Sequence, residues 1–161
     1  MASGVVIAWH AGPREPLRRL FALAESSPRR LDASLVEGNV LVATDGVELV
    51  GCVQLVDGVA EDEVEVKTLA VAEDRQRQGI GRALVERAVA ECGAAGARRI
   101  VVGTAGADTG NLRFYQRLGF RLLRVERDAF TTADGYAEDL TIDGIPLQDR
   151  VWLELALESQ A

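Results

Sequence analysis

The chain places a glycine-containing loop between a strand-like run and a helix-like run. Residues 64–71, VEVKTLAV, are rich in β-branched side chains, which predicts a strand. Residues 79–92 carry apolar side chains at helical spacing, which predicts a helix that ends near Gly93 and Gly96. Because RIVVGT at 99–104 then predicts a buried strand, the order strand–helix–strand indicates a mixed α/β fold.

The loop RQRQGIGR, residues 75–82, is suited to hold an anion. The first turn of a helix has unpaired N–H groups and a partial positive charge, and glycines allow close approach of the backbone to a ligand. The loop and the following helix also carry Gln76, Gln78 and four arginines that we expect to serve one local anion, namely Arg75, Arg77, Arg82 and Arg87. The spacing is neither GxGxxG nor a P-loop. On the loop alone, a plain tight turn stays an alternative.

The remaining runs complete one expected domain over residues 1–161. The predicted elements are a strand at 5–9, a helix from 13 to 28, strands at 40–44 and 47–56 around the hairpin signal Asp45-Gly46, a helix at 111–118, and strands at 120–126 and 151–157. Residues 29–38 are ambiguous between a short helix and a loop. Residues 128–149 are predicted to be irregular, with turns at Asp134-Gly135 and Asp143-Gly144.

Composition limits the partners. The net charge of −7 argues against nucleic acid, which favours a basic face, and it suits a cationic substrate or plain solubility. No apolar stretch reaches about 18 residues and no signal peptide is recognisable, so we expect a cytoplasmic protein without a membrane span. Cys52, Cys92 and the single His10 offer no metal spacing, and both thiols are expected to be buried.

Strict alternation along 64–71 assigns the side chains to two faces. It groups Val64, Val66, Thr68 and Ala70 on one face and Glu65, Lys67, Leu69 and Val71 on the other. On this interpretation Glu65 shares a face with Leu69 and Val71.

Two motifs together resemble the GNAT N-acetyltransferases. Gln76-Arg-Gln-Gly79-Ile-Gly81 is similar to the family's Q/R-x-x-G-x-G/A motif, and it follows a strand that ends Leu-Ala-Val. About thirty residues later, FYQRLGF from Phe114 to Phe120 is similar to its Phe-Tyr-x-x-x-Gly-Phe signature. The resemblance covers about 40–157. GYAEDLTIDGIPLQDRVWLEL before and within the last strand also resembles a bacterial branch of mostly unassigned substrate.

The resemblance implies a mixed, mostly antiparallel sheet that is splayed between its fourth and fifth strands and flanked by helices. Acetyl-CoA would lie in the gap, its pantetheine beside the strand end and its pyrophosphate on the N–H groups of 77–82. The residues implied to bind it are Leu69, Ala70, Val71, Gln76, Arg77, Gln78, Gly79, Ile80, Gly81, Arg82, Asn111 and Tyr115. No metal is expected.

The implied chemistry is direct attack of a primary amine on the thioester. Tyr115 would protonate or hydrogen-bond the leaving sulfur, and Glu65 would act as the base, with Glu63 and a water chain as rivals. Burial in the cleft would raise the pKa of Glu65. Many relatives carry asparagine where this chain has Asp108, which leaves the role of 104–111 open.

The favoured function is an acetyl-CoA-dependent N-acetyltransferase of a small amine. The alternatives are a protein N-terminal or lysine acetyltransferase, a catalytically silent acyl-CoA sensor, and a domain that shares only the topology. We expect 10–40 and 128–149 to line the acceptor end of the cleft. A homodimer is one assembly that the resemblance allows, with the exposed final strand as a candidate surface.

Overall fold

The computed structural model describes residues 4–158 of the chain. The helices are α1 (Arg18–Ala24), α2 (Pro28–Leu35), α3 (Ile80–Ala94) and α4 (Thr109–Arg117). The strands are β1 (Val5–Trp9), β2 (Asn39–Asp45), β3 (Glu48–Asp57), β4 (Glu63–Val71), β5 (Arg99–Ala105), β6 (Arg121–Glu126), β7 (Thr141–Ile142), β8 (Ile145–Pro146) and β9 (Arg150–Ala156). Short 3-10 helices lie at Glu15–Leu17, Glu73–Arg75 and Thr132–Asp134.

Seven strands form one sheet in the order β1-β2-β3-β4-β5-β9-β6. Neighbours are antiparallel except β4 and β5, which run parallel because α3 connects them. The predicted mixed, mostly antiparallel sheet is therefore confirmed. The expectation that the final strand is exposed is wrong: the long connection after β6 lets the chain return and insert β9 between β5 and β6, so β6 forms that edge.

The helices cover the two faces of the sheet with two hydrophobic cores. On one face α3 and α4 pack against the sheet through side chains that include Val53, Ile80, Leu84, Val102, Tyr115 and Leu153. On the other face α1 and α2 pack over β2, β3 and β4 through side chains that include Leu17, Leu20, Phe21, Val42, Cys52 and Ala70. The ambiguous stretch 29–38 is thus largely helical, because Leu31 and Leu35 supply one turn-spaced apolar face.

A β-bulge in β4 overturns the face assignment made by strict alternation. Gln54 pairs with Thr68 while the next residue of β3, Leu55, pairs with Val66, so Lys67 is an extra residue. The bulge moves every later side chain to the opposite face from the one that alternation predicts. As a result Leu69 and Val71 pack in the core beneath α3, together with Val66. Glu65 instead shares the α1–α2 face with Thr68 and Ala70.

The segment between β6 and β9 is mostly irregular, and its turn signals are confirmed. Asp143 and Gly144 have φ values of 50° and 80° and form the two-residue turn between β7 and β8. Gly135, with φ of 91°, follows the 3-10 helix at Thr132–Asp134. Residues with positive φ of this kind are disfavoured for L side chains, which explains the glycines.

Both thiols are free and buried, as expected. Burial raises the pKa of Cys52 to about 12 and that of Cys92 to about 11, so both stay protonated at neutral pH. In residues 4–158, none of the helices has the length and apolar character needed to cross a membrane.

Candidate functional site

A gap opens between β4 and β5 at their carboxyl ends. The parallel pairing of the two strands stops at Val66 and Val102. Beyond that point β4 pairs only with β3, and β5 pairs only with β9. The edge of β4 over Leu69–Val71 is therefore left without β5 as a partner, directly after the bulge at Lys67.

The N-terminus of α3 lies next to this gap and has no side-chain cap. Gly79 is the N-cap residue, with φ of 83°, and Arg77 before it has φ of 63°. Because no side chain caps the helix, the N–H groups of its first turn, at Ile80, Gly81 and Arg82, lack an intrahelical partner. The side chain of Ile80 is buried, so only its backbone is available to a ligand.

Among the described α-helices, α2 and α4 have a side-chain cap, as does the 3-10 helix at Thr132–Asp134, whereas α1 has none. The Ser27 hydroxyl accepts a hydrogen bond from Arg30 N at the start of α2. The Asp108 carboxylate accepts one from Asn111 N, at 2.9 Å, at the start of α4. The contrast is informative because capping side chains are the usual solution for unpaired N–H groups. In α3 the N-cap glycine leaves those donors without a side-chain acceptor, and donors of this kind can bind an anion.

The loop before α3 is held in place by its own side chains. Gln76 Nε2 donates to the Val71 carbonyl at 3.1 Å. Arg75 donates to Asp45 Oδ2 at 2.8 Å, which ties the loop to the β2–β3 hairpin, and its Nε donates to Gln78 at 3.4 Å. These contacts give Gln76 and Gln78 a structural role in addition to the predicted one.

The four arginines that are predicted to serve one anion have different partners in the structure. Arg75 is mostly buried in its ion pair with Asp45. Arg82 pairs with Glu86 at 2.7 Å and Arg87 pairs with Glu91 at 2.8 Å, each one helical turn along α3. Among residues 4–158, only Arg77 of the four has no carboxylate within ion-pair distance, and it is exposed on the loop.

Gly81 lies where α3, β4 and α4 meet. A Cβ atom built on it would lie 3.6 Å from Val71 Cγ2 and 3.7 Å from Phe114 Cζ, which are ordinary contact distances. Its φ is not positive, so the backbone does not require glycine. The packing of the protein itself therefore leaves room for a side chain at this position.

Tyr115 is buried beside the gap. Its ring packs edge-on against Phe114 and Phe120, with centroid distances of 5.0 and 5.4 Å. Burial, with the nearby Asp108 carboxylate adding to it, holds the pKa of the phenol well above its usual range. Within the part of the chain that the structure describes, no hydrogen bond engages the hydroxyl. The phenol is therefore a protonated and uncommitted donor at neutral pH.

Asp108 and Asn111 fasten the start of α4. Besides the cap already described, Asn111 Nδ2 donates to Thr104 Oγ1 of β5 at 3.3 Å. These bonds hold Tyr115 on the following turn of α4 at a fixed distance from β5. The sequence leaves the role of residues 104–111 open, and in the structure Asp108 serves as the N-cap of α4.

Glu65 is a half-buried carboxylate on the α1–α2 face of the sheet. Burial raises its pKa, against the opposing effect of the Lys67 and Arg150 charges. Lys67 is committed to Glu37 at 2.6 Å, and Arg150 to Glu126 at 3.1 Å. Among the described residues, no ion pair engages the Glu65 carboxylate, so no counter-ion lies within ion-pair distance of it.

Glu63, the rival base, is committed elsewhere. Its carboxylate accepts hydrogen bonds from Arg99, at 3.0 Å from Nε, and from Val59 N. Although burial alone would raise its pKa, the Arg99 guanidinium lowers it below the usual range. A carboxylate paired in this way is a poor proton acceptor, which leaves Glu65 as the better candidate.

An aromatic and arginine cluster on β9 and the β6–β9 connection was missed from the sequence. The Arg150 guanidinium lies 4.7 Å from the Phe130 ring centroid, and Trp152 Nε1 donates to Glu126 at 3.3 Å. Arg150 and Trp152 both fold over Gly103 of β5, where a Cβ would come within 2.7 Å of Arg150 Cδ. The alternation of 150–156 is the signal that could have placed Arg150 and Trp152 on one face.

In residues 4–158, no group of three or more His, Cys, Asp or Glu side chains is arranged to hold a metal ion. The candidate site therefore combines four features: a strand gap, a helix N-terminus without a side-chain cap, a protonated tyrosine and a glutamate without an ion pair among the described residues.

Known proteins are similar to this chain in sequence and in fold. The family model for the Acetyltransferase (GNAT) family matches residues 8–120. The chain is 34% identical over 143 residues to the uncharacterized N-acetyltransferase YvbK of Bacillus subtilis (strain 168), covering 89% of this chain and 90% of that protein.

Two solved structures are similar over nearly their whole length. A GNAT family acetyltransferase from Elizabethkingia anophelis with acetyl-CoA bound has a TM-score of 0.86 and 30% identity, covering 97% of this chain and 100% of that one. A Bacillus subtilis acetyltransferase in complex with CoA has a TM-score of 0.86 and 32% identity, covering 96% and 99%. The chain therefore belongs to the GNAT family and is an N-acetyltransferase.

Proposed function

We propose that this protein transfers the acetyl group of acetyl-CoA to the primary amine of a small molecule. The observation that carries the proposal is the uncapped N-terminus of α3 beside the unpaired edge of β4. A pyrophosphate needs N–H donors and a partial positive charge, and the first turn of α3 offers both at Ile80, Gly81 and Arg82. Arg77 adds a cation that has no counter-ion within the described residues.

The pantetheine arm of acetyl-CoA is proposed to run along the free edge of β4. The backbone of Leu69, Ala70 and Val71 lacks a neighbouring strand there, and an extended amide chain can supply the missing hydrogen bonds. The Gly81 position supports this arrangement, because the protein has space for a side chain but the sequence has none. Gln76 and Gln78 hold the loop that shapes the site, and Asn111 fixes the start of α4 on its other side.

Acetyl-CoA supplies the acetyl group as a reactive thioester. Glu65 takes a proton from the ammonium of the acceptor, because an amine attacks only through its free lone pair. The raised pKa of Glu65 suits a base that works near neutral pH. Tyr115 donates its hydroxyl hydrogen to the sulfur as the C–S bond breaks, and the proton that the amine nitrogen still carries after its attack returns to the phenolate, so that neither a thiolate nor a phenolate accumulates in a buried site.

The acidic balance of the chain favours a cationic small acceptor. The net charge of −7 attracts amines, which are protonated at neutral pH. A polypeptide amine is the second candidate within the same chemistry.

Two measurements test the proposal. Saturating acetyl-CoA should raise the melting temperature, because a ligand that binds only the native state stabilises it. A panel of primary amines, assayed by release of free thiol from acetyl-CoA, should contain at least one acceptor. If acetyl-CoA leaves the melting temperature unchanged, the proposed site is wrong. If it binds but no amine releases thiol, the acyl-CoA sensor becomes the better description.

A further inference from the structure

The bulged residue Lys67 lies on the same face of the sheet as Glu65. The two residues alternate regularly on β4, because the register shift comes only after Val66. Side chains two positions apart on a strand project from one face about 7 Å apart, a distance that a lysine can span. The Lys67 ammonium nevertheless contacts a different carboxylate, that of Glu37, at 2.6 Å. The pair that strand geometry allows within β4 is therefore replaced by a pair to another element.

Glu37 follows α2 and is fixed there by hydrogen bonds to its backbone. Its carbonyl accepts from Gln54 Nε2 at 2.9 Å and from the Arg14 guanidinium at 3.0 Å. Arg14 also donates to the carbonyls of Leu35 and Gly38. Because these donors bind the main chain, the position of Glu37 does not depend on its own side chain, and its carboxylate stays available for an ion pair.

The side chain of Gln54 links both partners of this ion pair. It is completely buried on β3, and its amide also donates to the Ser34 carbonyl at 2.6 Å. Its Oε1 accepts a hydrogen bond from the Thr68 hydroxyl at 2.8 Å, and Thr68 directly follows Lys67. Gln54 thus joins the end of α2 to the bulge in β4. A buried network therefore sets the separation between the backbones of Glu37 and Lys67.

The other cations on this face also have carboxylate partners. Arg150 of β9 acts on the charge of Glu65, and its guanidinium pairs with Glu126 at 3.1 Å. The Arg18 guanidinium on α1, the helix that packs over β4 here, is likewise paired. Among the described residues, the cations of Lys67, Arg150 and Arg18 are thus each held by a carboxylate other than Glu65.

The surrounding charges act on Glu65 in opposite directions. Burial raises the pKa of its carboxyl, and the Lys67 and Arg150 cations lower that pKa. The carboxylates of Glu37 and Glu63 raise it. An ammonium in direct contact with Glu65 would lower the pKa further and would occupy the carboxylate oxygens. Holding Lys67 at a distance avoids both effects.

We propose that Glu37 is a positioning residue for acetyl transfer, because its carboxylate holds the Lys67 ammonium and keeps Glu65 open to the ammonium of the acceptor. This rests on the proposed function, in which Glu65 is the base. Without the Glu37 charge, Lys67 would reach Glu65 by side-chain rotation alone, since both lie on one face of β4. The acceptor would then have to displace a tethered lysine before it could give up its proton.

Glu37→Gln tests the proposal directly, because it removes the charge and keeps the shape. The bonds from Gln54 and Arg14 reach the backbone and remain. The acid limb of the acceptor kcat/KM should move to lower pH by at least about one pH unit, since an adjacent cation lowers a carboxyl pKa by this much. The plateau kcat/KM should fall about tenfold at unchanged acetyl-CoA KM. The melting temperature should stay close to wild type, because exposed ion pairs contribute little to stability.

The double variant Glu37→Gln/Lys67→Met distinguishes this role from a merely structural one. Methionine keeps the aliphatic stem of the lysine and removes its charge. Lys67→Met alone should move the acid limb to higher pH, because a cation that lowers the pKa of Glu65 is lost. The double variant should return the acid limb and the kcat/KM to near wild type, since no ammonium is left to pair with Glu65. A double variant that keeps the Glu37→Gln values would overturn the proposal.

Glu91→Gln is the matched control. It also breaks an ion pair of the protein, that with Arg87 at 2.8 Å, but on α3 at the opposite face of the sheet. Its acid limb, its plateau kcat/KM and its KM values should equal those of wild type. If Glu37→Gln behaves as this control does, Glu37 does not govern Glu65 and the proposal is wrong.

Carbon-13 NMR titration of the Glu65 carboxyl separates failure of this inference from failure of the proposed function. The titration uses the protein without substrates, so it needs no acceptor. Its midpoint should fall in Glu37→Gln and recover in the double variant. Equal midpoints in wild type and Glu37→Gln would overturn the role of Glu37 and leave acetyl transfer intact. A midpoint that moves without a matching move of the acid limb would instead exclude Glu65 as the base, and the role of Glu37 in catalysis with it.

Discussion

The side chains of Glu65 and Leu69 lie on opposite faces of β4. Lys67 is an extra residue between them, and it reverses the alternation that would have put them together. Leu69 therefore packs in the core under α3, while Glu65 faces the side of the sheet on which α1 and α2 pack. An amine and acetyl-CoA that approach from different faces would meet at the gap between β4 and β5.

Glu65→Gln should lower kcat/KM for the acceptor about a hundredfold or more, because it removes the proposed base and keeps the shape. Burial raises the pKa of Glu65, so the wild-type rate should fall as the pH drops through a value above that of an ordinary glutamate. In Glu65→Gln this acid limb should be lost. An unchanged pH–rate profile would exclude Glu65 as the base, and exposed Glu61→Gln should leave the profile as in wild type.

The same substitution should not reduce stability. A carboxyl whose pKa is raised by folding binds its proton more tightly in the folded state, so its contribution to stability is present at low pH and lost as the pH rises through the folded pKa. At neutral pH, wild type therefore bears the cost of a half-buried charge that glutamine lacks. The melting temperature of Glu65→Gln at pH 7 should equal or exceed that of wild type.

Gly81→Ala should weaken acetyl-CoA binding without harming the fold. The new methyl group makes only ordinary contacts with Val71 and Phe114, and alanine favours a helix over glycine by about 1 kcal/mol. It would, however, occupy the space through which the pyrophosphate approaches the helix. Isothermal titration should give a Kd for acetyl-CoA at least about tenfold higher than wild type.

Gly93→Ala is the matched control for this change, because Gly93 lies near the other end of α3 with nothing within 4 Å of a new Cβ. It should gain helix stability while binding acetyl-CoA as wild type does. Equal affinities in both variants would mean that the pyrophosphate does not lie on the first turn of α3.

Tyr115→Phe should reduce kcat about a hundredfold or more at unchanged acetyl-CoA affinity, since general acids contribute at least this much. The hydroxyl makes no hydrogen bond with the described residues, so its removal leaves no partner unpaired, and the free energy of unfolding should change by less than about 1 kcal/mol. Rapid-quench measurement of the chemical step would check the effect. Turnover at the wild-type rate in the variant would show that Tyr115 is not the acid.

Glu63→Gln should destabilise the protein by about 1–3 kcal/mol at pH 7, because the Arg99 guanidinium then faces a neutral amide in place of a carboxylate and its hydrogen bonds lose their charged acceptor. Since the folded-state pKa of Glu63 is lowered, wild-type stability from this pair is complete above about pH 4.3 and is lost as the pH falls through the folded pKa. Urea unfolding over this range should show a shallower pH dependence in the variant. Exposed Glu138→Gln should behave as wild type.

The parts of the candidate site that are formed by residues close together in the sequence could be predicted from it. The glycine loop between β4 and α3 has a local cause, because an uncapped helix start after a strand is visible as Gly-Ile-Gly in the sequence. The aromatic pair Phe114-Tyr115 and the turn glycine Gly119 likewise stand together on α4 and just after it.

The parts that depend on pairing across the chain could not be predicted. No glycine or proline marks the bulge at Lys67, so strict alternation was the reasonable interpretation, and only the register with β3 corrects it. The partner of Arg75 lies on the β2–β3 hairpin, at Asp45. The Ser27 hydroxyl donates to the Asp134 carbonyl across 107 residues, and no local sequence pattern signals a contact over that separation.

The extra residue Lys67 also marks the point where the regular pairing of β4 with β5 ends. The residue after the last β4–β5 pair is the bulged one, so a chain shortened by Lys67 alone would keep Glu65, Leu69 and Val71 on their present faces. It would also let β4 continue in straight register beside β5, and we expect it to gain inter-strand hydrogen bonds. Such a deletion would yield a more regular sheet, in which the backbones of β4 and β5 close the gap between these two strands. The bulge at Lys67 thus lies where β4 and β5 separate, and on the proposed function acetyl-CoA takes the hydrogen-bonding edge that is left there.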